Sequence, residues 1–492
     1  MSRVPSCPWT AGGSAEVARA EPRIHARVYH GTAIMPIEPS VEGLASRPLS
    51  ERLAVYARRT GPGYMQSAMT LGAGTISACV LMGSMYGYEL LWVQALAIVL
   101  GAAVLAAIAK QTCQTGERPY RVFRDRLHPA LALLWGISAL VATVIWHFPQ
   151  YSLTANGISA LLSGAGFEIA TLEPGPRVAV QMTFGLVTLA VSAWVVRLYG
   201  AGSRGLRLYE QSIKVLVWAI VLAFTAAAVA SGIQVGELAR GLTGVSFAER
   251  VAAEGITSEG VRTIVGGLAA AVGINMVFLY PYSLLRKKWG PAHTELAYVD
   301  LALGMVVPFL IATTFIIVAT ANTVGPAGDA PGRAVRNVLE LVPVLGGTFG
   351  EGLALALIGF GMIAVGVSTI ITHMLASGFI GGEVFGYPDD SRARWWLSFL
   401  PAVGIVGVAY PFPWALSVTA STLAYPLMPV AVICFVVLLN RKGYMGSATP
   451  EGGARLAWNL VLSAAVFVMI GGAWFALRQN WLDMAGWVAQ RP

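Results

Sequence analysis

Long apolar runs separated by short polar segments dominate the chain between residues 62 and 477. A helix needs about 20 apolar residues to cross the ~30 Å of hydrocarbon in a bilayer. Eleven runs are close to this length, and each predicts a membrane-spanning helix. They cover residues 62–86, 88–110, 130–163, 177–197, 210–234, 259–285, 296–323, 347–382, 394–411, 414–439 and 455–477. The pattern predicts an all-α polytopic membrane protein.

The first run is interrupted at Gly72-Ala73-Gly74-Thr75. Each glycine in a helix interior costs about 1 kcal/mol relative to alanine. Irregular backbone at membrane depth is tolerated only where protein or a water-filled cavity surrounds it. Because secondary transporters build their substrate sites from such discontinuous helices, this break is the first candidate for a binding site.

The basic residues predict an orientation, since cytoplasmic loops are enriched in Lys and Arg. With the N-terminus inside, 25 of the 33 Lys and Arg residues fall in cytoplasmic segments and 8 in extracytoplasmic ones. Eleven helices then place the N-terminus in the cytoplasm and the C-terminus outside. The expected location is the cell (inner or plasma) membrane.

Composition agrees with this class, because 56% of the residues are hydrophobic, 12% are charged and the mean hydropathy is +0.66. The positive-inside bias accounts for the net charge of +8, so we expect no nucleic-acid partner. Residues 1–50 lack an apolar run and are rich in Pro, Gly, Arg and Glu. They predict a poorly ordered cytoplasmic arm without a cleaved signal peptide.

Motifs for catalysis or cofactors are missing from the sequence. The four cysteines show no paired spacing, so neither a disulfide nor a structural zinc is indicated. No GxxxxGK[ST] loop and no HExxH motif occurs. We therefore expect neither an enzyme nor a bound cofactor, and the expected partners are the lipid bilayer, a small inorganic ion and a coupling ion.

Short motifs along residues 55–447 resemble those of the NRAMP (natural resistance-associated macrophage protein) family of metal transporters. They occur in the family's order and follow the ends and breaks of the predicted helices. They are Gly61-Pro62, Tyr86-Gly87-Tyr88-Glu89-Leu90-Leu91-Trp92, Thr115-Gly116, Leu279-Tyr280 with Ser283, Ser368-Thr369-Ile370 with Ala376 and Glu383, Pro429 with Ala431-Val432, and Arg441-Lys442 with Met445-Gly446.

The resemblance implies a secondary active transporter with a LeuT-type (APC) fold. Helices 1–5 and 6–10 would form inverted repeats, with helices 1 and 6 unwound at the membrane midplane. The repeats would cover residues 51–240 and 241–445, and residues 446–492 would hold helix 11 and the C-terminal tail.

The chain departs from the family at the metal site. The family's first-helix motif Asp-Pro-Gly-Asn is replaced by Gly72-Ala73-Gly74-Thr75, which removes two side-chain ligands. Its sixth-helix motif Met-Pro-His-Asn is replaced by Asn275-Met276-Val277-Phe278, although a shift of one residue would restore Met276. The third helix has no acidic residue between Ala139 and Gly164. No metal-ligating residue is therefore assigned from the sequence.

Loss of these carboxylates favours an anion over a metal ion, since uncompensated charge in a low-dielectric cavity costs several kcal/mol. Glu89, Glu210 and Asp300 fall near helix ends, where capping or surface roles are expected for them. Half-helices beginning near Thr75 and Phe278 would offer free N–H groups, which bind small oxyanions. Bicarbonate is the leading example, with nitrate or a carboxylate nearly as suitable.

Four further residues are candidates for binding a coupling ion, Na⁺ or H⁺. Ser368 and Thr369 lie on helix 8 and could bind sodium, or they could bond the carbonyls one turn before them. His147 could carry protons, or it could be a hydrogen-bonded interior residue. Gln150 is the other polar residue of helix 3.

Three hypotheses follow for function. The first is a cation-coupled transporter of a small anion, with the eight residues Gly72, Ala73, Gly74, Thr75, Asn275, Met276, Val277 and Phe278 at its substrate site. The second is a divalent-metal transporter (Mn²⁺, Fe²⁺ or Mg²⁺) that uses backbone and neutral side chains. The third is a non-transporting sensor.

Overall fold

The computed structural model describes residues 47–326, 350–409 and 428–489, with residues 339, 342, 346 and 426 between them. These residues are nearly all helical. Residues 1–46 of the predicted arm lie outside the described residues, as do parts of the eighth, ninth and tenth apolar runs.

The helices follow the apolar runs closely. In chain order they are α1 (Leu49–Arg59), α2 (Pro62–Thr70), α3 (Ala73–Tyr86), α4 (Leu91–Thr115), α5 (Pro129–Gly164), α6 (Pro174–Gly200), α7 (Gly202–Ser231), α8 (Val235–Thr243), α9 (Val245–Glu254), α10 (Ser258–Ala271), α11 (Ile274–Arg286), α12 (Pro291–Thr323), α13 (Glu351–Phe385), α14 (Arg392–Leu397), α15 (Met428–Leu439) and α16 (Gly452–Ala489). Within the described residues, eight segments are long and apolar enough to cross a membrane, or up to ten if each bent pair is one span. The predicted number of eleven is not confirmed.

The predicted break in the first membrane helix is present. The axes of α2 and α3 differ by 53°. Leu71 and Gly72 leave the helical conformation, and Gly72 is extended at φ −91° and ψ −179°. The Thr75 hydroxyl donates to the Thr70 carbonyl and so connects the two sides of the break. The second half begins at Ala73, two residues before the expected position.

The sixth membrane helix is also divided, but at a different residue from the one expected. α10 ends at Ala271, and α11 begins at Ile274 rather than near Phe278. Extended backbone at Val272 and Gly273 separates the halves. Phe278 lies inside α11 and stacks on Tyr282 with ring centroids 5.1 Å apart. The residue that marks the break is therefore Gly273.

The ninth apolar run, predicted as one helix over 394–411, differs from that prediction. α14 has six residues, and a 3₁₀ segment follows at Leu400–Ala409. Pro401 lacks the N–H that an α-helix would need. A Cβ at Gly404 would lie 2.6 Å from His147 Cβ, and one at Gly407 would overlap the Phe148 carbonyl oxygen. Small residues thus bring this segment into close contact with α5.

The centre of the bundle is formed by α13 packed against α5 and α7, with α2 also in contact with α13. Small residues again allow close approach. A Cβ at Gly359 would lie 2.8 Å from the Gly157 carbonyl oxygen. This packing brings α5 and α13 beside the two helix breaks.

Candidate functional site

A small cavity lies where the two helix breaks meet. Six of the predicted substrate and coupling residues line it, namely Gly72, Gly74, Thr75, Gln150, Asn275 and Met276. Met69, Thr70, Trp146, Ala269, Gly273 and His373 complete the described lining. These described lining residues include no carboxylate. Residues of the two predicted breaks thus line one cavity, together with Trp146 and His373, which the sequence did not place there.

Thr70 connects the two breaks directly. Its hydroxyl lies 2.9 Å from the Ala271 carbonyl oxygen and 3.4 Å from the Met276 sulfur. Met276 Sδ also accepts from the Gly273 N–H at 3.4 Å. Sulfur is a weak and polarizable acceptor. The Met276 thioether therefore lies in the cavity. A shift of one residue in the alignment with the family's sixth-helix motif would also match Met276 to the methionine of that motif.

The Asn275 side chain folds back on its own helix. Its Oδ1 accepts from the Met276 N–H at 3.0 Å. Val277 and Phe278, which were also predicted at the substrate site, do not belong to the described cavity lining. They lie too far along α11, because that helix begins four residues earlier than the sequence suggested.

Gln150 holds the start of α3 from the neighbouring helix α5. Its Oε1 accepts from the Ala73 N–H at 3.1 Å, so Ala73 contributes to the site through its backbone. A Cβ placed on Gly72 would lie 3.1 Å from Gln150 Nε2 and 3.4 Å from Thr369 Oγ1. The position that holds a carboxylate in the family is therefore close to an amide donor in this chain.

Gly74 has a different role from the one expected. The sequence suggested that it lets a substrate approach the backbone. In the structure the space beside it holds Trp146, because a Cβ at Gly74 would lie 2.5 Å from two ring carbons of that side chain. Gly74 accommodates an aromatic wall of the cavity.

The two hydroxyls on α13 bond carbonyl oxygens. Ser368 Oγ donates to Val365 O at 3.0 Å. Thr369 Oγ1 lies 2.9 Å from Val365 O and 2.8 Å from Ala68 O on the first half-helix. Thr369 therefore contacts both α13 and α2, whereas Ser368 bonds its own helix. Neither belongs to the described cavity lining.

Two histidines face each other beside the cavity. The ring centroids of His147 on α5 and His373 on α13 are 5.3 Å apart. His147 Nδ1 lies 3.1 Å from the Thr143 carbonyl oxygen. His147 Nε2, His373 Nδ1 and the Tyr151 hydroxyl are buried and have no hydrogen-bond partner in the described part of the chain. His373 follows Thr369 by one helical turn, which was the one signal in the sequence that could have placed it here.

Two acidic side chains from other helices, Asp300 of α12 and Glu210 of α7, lie beside the start of α2 and not in the described cavity lining. The buried Asp300 carboxylate accepts from the Gly61 N–H at 2.7 Å and from the Gly63 N–H at 2.6 Å. The nearby Glu210 forms an ion pair with Lys287 at 3.0 Å. The capping role expected for Asp300 is confirmed by these contacts.

The chain matches the family described as "Natural resistance-associated macrophage protein-like" over residues 63–476. It belongs to the NRAMP family. A relative named divalent metal cation transporter MntH, from Acidiphilium cryptum (strain JF-5), is 23% identical over 433 residues, which are 85% of this chain and 92% of the relative.

Two solved structures establish the fold of this NRAMP protein. A mutant of the manganese transporter of Eremococcus coleocola has a TM-score of 0.71 at 14% identity, covering 93% of this chain and 92% of its own. The protein MhsT in complex with L-phenylalanine has a TM-score of 0.58 at 12% identity, covering 84% of this chain and 98% of its own. The LeuT-type fold implied by the motifs is confirmed, and so is the assignment to a transporter family rather than an enzyme.

No cluster of three or more His, Cys, Asp or Glu side chains that could hold a metal ion occurs among the described residues of this NRAMP protein. The side-chain donors among the described lining residues are instead two thioethers, one imidazole, two amides and two hydroxyls, beside backbone groups. The site of this chain is thus chemically different from the carboxylate-containing motif of its family.

Proposed function

We propose that this NRAMP protein is a secondary active transporter of a divalent metal cation that works by alternating access. The observation that carries the proposal is the pair of Met276 and His373 in the cavity between the two helix breaks. Thioether and imidazole groups are transition-metal ligands. The MntH name of the relatives supports the same substrate class.

Backbone carbonyl groups supply further donors. α2 ends at Thr70 and α10 at Ala271, so the C-terminal, partially negative ends of two half-helices meet at the cavity. Such helix ends and unwound carbonyls coordinate cations in transporters of this architecture. Because no carboxylate is found in the described lining, we expect weaker binding than at an acidic site.

A small anion is the second candidate, and the opposite helix ends favour it. The N-termini of α3 and α11 also open at the cavity, with glycines Gly72 and Gly273 as their N-caps. Free N–H groups at helix N-termini bind anions. The names of the relatives give bicarbonate no support, so this candidate rests on the helix ends and on the lack of carboxylates in the described lining.

Substitution of Gly72 separates the two candidates. Gly72 has a backbone conformation open to any residue, so Gly72→Asp places a carboxylate beside the cavity, and Gly72→Asn is its neutral control. A charge about 4 Å away contributes ~1–4 kcal/mol between the aqueous and protein-surface dielectric limits. For a metal transporter, we expect Gly72→Asp to lower the half-saturating metal concentration about tenfold or more relative to Gly72→Asn.

The measurement is uptake of radiolabelled manganese, cobalt and bicarbonate into proteoliposomes, with sodium or proton gradients imposed in turn. Bicarbonate uptake that Gly72→Asp abolishes, without metal uptake, would replace the proposal with the anion candidate. Absence of all uptake by folded protein would favour a non-transporting sensor. The gradient that stimulates uptake identifies the coupling ion, for which Thr369 and His147 are the candidate residues.

A further inference from the structure

The histidine pair beside the cavity is buried in a way that leaves nitrogen atoms unsatisfied. His147 is 0% exposed and His373 is 3% exposed. Within the described residues, His147 Nε2 and His373 Nδ1 have no hydrogen-bond partner. A buried polar atom without a partner costs about 1–3 kcal/mol, and such an atom in a native protein needs an explanation.

The contact of His147 with Thr143 determines which nitrogen carries the proton. A carbonyl oxygen only accepts hydrogen bonds, so Nδ1, which lies 3.1 Å from Thr143 O, must be the protonated nitrogen. In the neutral imidazole, Nε2 then has a free lone pair. Metal-binding histidines almost always have this arrangement, in which the other ring nitrogen donates to a carbonyl or carboxylate.

The distance between the rings suits a shared ion. With metal–nitrogen bonds of about 2.0–2.1 Å, two imidazoles on one metal have ring centroids roughly 5–6 Å apart. The observed separation is 5.3 Å, with the ring planes inclined by 38°. Gly404 packs against the backbone and Cβ of His147, which fixes the base of this side chain.

We propose that His147 and His373 form a two-nitrogen site for a transition-metal ion at the edge of the cavity, with the Met276 thioether as a further donor. The substrate would then belong to the metals that prefer nitrogen and sulfur ligands, such as Co²⁺, Ni²⁺, Cu²⁺ and Zn²⁺, rather than to Mn²⁺ or Mg²⁺. This inference rests on the proposed function, because it names the class of cation transported through the same cavity.

Charge and donor type support this class over hard cations. Mg²⁺ and Ca²⁺ prefer oxygen ligands, and most of their protein sites contain carboxylates. The described cavity lining has none. Affinity for a neutral nitrogen and sulfur site rises from Mn²⁺ towards Cu²⁺ in the Irving–Williams order. Manganese should therefore be the weakest transition-metal ligand of this site.

The test measures metal binding directly on the full-length protein with its purification tag removed. Isothermal titration with Zn²⁺, Ni²⁺ and Mn²⁺ is compared for the wild type, His147→Gln and His373→Gln. His293→Gln, in the first turn of α12, is the matched control. We expect Zn²⁺ and Ni²⁺ to bind the wild type at least tenfold more tightly than Mn²⁺. The affinity for Zn²⁺ and Ni²⁺ should fall tenfold or more in each cavity variant. The control variant should bind these ions like the wild type.

A spectroscopic readout on the wild type does not depend on the folding of any variant. Electron paramagnetic resonance of the wild type with one equivalent of Cu²⁺ should show splitting from nitrogen ligands, and this splitting should weaken in both cavity variants. An oxygen-only spectrum, unchanged Zn²⁺ binding in folded variants, or a preference for Mn²⁺ would each overturn the inference. Manganese transport that is insensitive to both variants would overturn it while leaving the proposed function intact. Absence of transport for every divalent ion would instead remove the proposed function.

Discussion

Single residues decide the shape of the cavity, and Gly74 illustrates how. The sequence identified Gly74 because glycine is unfavourable inside a helix. It could not identify the neighbour, since Trp146 lies 72 positions along the chain on another helix. In the structure the ring occupies the space that a side chain at Gly74 would need. Contacts between residues far apart in the sequence cannot be predicted from the local pattern of residue types.

Gly74→Ala tests this contact. The new Cβ would lie 2.5 Å from the Trp146 ring, so the ring must move and the cavity wall with it. We expect uptake to fall about tenfold while the folded protein is retained. Gly175→Ala is the control, because no described atom lies within 4 Å of its Cβ position. The double variant Gly74→Ala/Trp146→Phe should recover uptake, and failure to recover would show that the ring contact is not the cause.

A pH dependence is expected at Asp389, in the segment between α13 and α14. Burial alone would raise the pKa of Asp389, but the charges of Arg394 and Arg118 outweigh it and hold the pKa below the ordinary 3.8. A carboxyl group with a lowered folded-state pKa stabilises the protein above its unfolded-state pKa. This contribution disappears as the pH falls below about 4 and through the folded-state value.

The measurement is the melting temperature of the wild type and Asp389→Asn between pH 7 and pH 3. Asp390→Asn, which removes a charge from the exposed neighbouring residue, is the control. The difference between the wild type and Asp389→Asn should be constant above pH 5 and should shrink below pH 4. A difference that persists unchanged to pH 3 would contradict the ion-pair explanation.

At the scale of elements, broken helices were easier to predict than the positions of their breaks. Two glycines within three residues placed the first break correctly. The second break was expected near Asn275–Phe278 from the family motif, but Gly273 and extended backbone at Val272 place it earlier. A single glycine beside a β-branched residue gives little local signal in an apolar helix, so tertiary contacts such as Thr70 with Ala271 must contribute.

The start of α2 provides the test at this scale. Asp300 accepts from the Gly61 and Gly63 N–H groups, and an intramolecular hydrogen bond contributes about 0.5–1.5 kcal/mol net. We expect Asp300→Ala to speed amide hydrogen exchange in the first turn of α2 by about tenfold or more, with a smaller effect for Asp300→Asn. Glu295→Ala is the contrast, because Glu295 bonds Tyr56 of α1. Equal effects of both substitutions on α2 would contradict a specific cap.

At the scale of the whole molecule, composition and periodicity predicted a polytopic helical protein and most of its helices. Long apolar runs suffice for this because the bilayer requires helices of a fixed length. The ninth run shows the limit of that signal. Residues 394–411 are apolar enough for a helix, yet Pro401, Gly404 and Gly407 shape a 3₁₀ segment that packs on α5. Hydropathy measures burial in an apolar environment and does not separate these conformations.

The orientation of the molecule in the membrane is the remaining prediction at this scale, and it rests on the positive-inside bias. α6 is 27 residues long and therefore extends about 40 Å, so we expect its two ends on opposite sides of the bilayer. A cysteine at Glu173, before α6, should react with a membrane-impermeant maleimide in intact cells. A cysteine at Arg204, after α6, should react only in inverted vesicles. Cys7 is first replaced by serine, because the predicted cytoplasmic arm would expose it in inverted vesicles, and the other native cysteines, Cys79, Cys113 and Cys434, are buried.

A fusion at the C-terminus then tests the number of crossings. With the N-terminus in the cytoplasm, an odd number of spans places the C-terminus outside, and an even number places it inside. Eight to ten spans are found among the described residues. They match the predicted apolar runs one by one, except that none of them includes the ninth run, residues 394–411. If that run also crosses the membrane, the total is eleven, and alkaline phosphatase fused after Pro492 should be active. An inactive enzyme, together with fluorescence from green fluorescent protein at the same position, would mean that the number of crossings is even and that the segment from Arg392 to Ala409 does not add an eleventh.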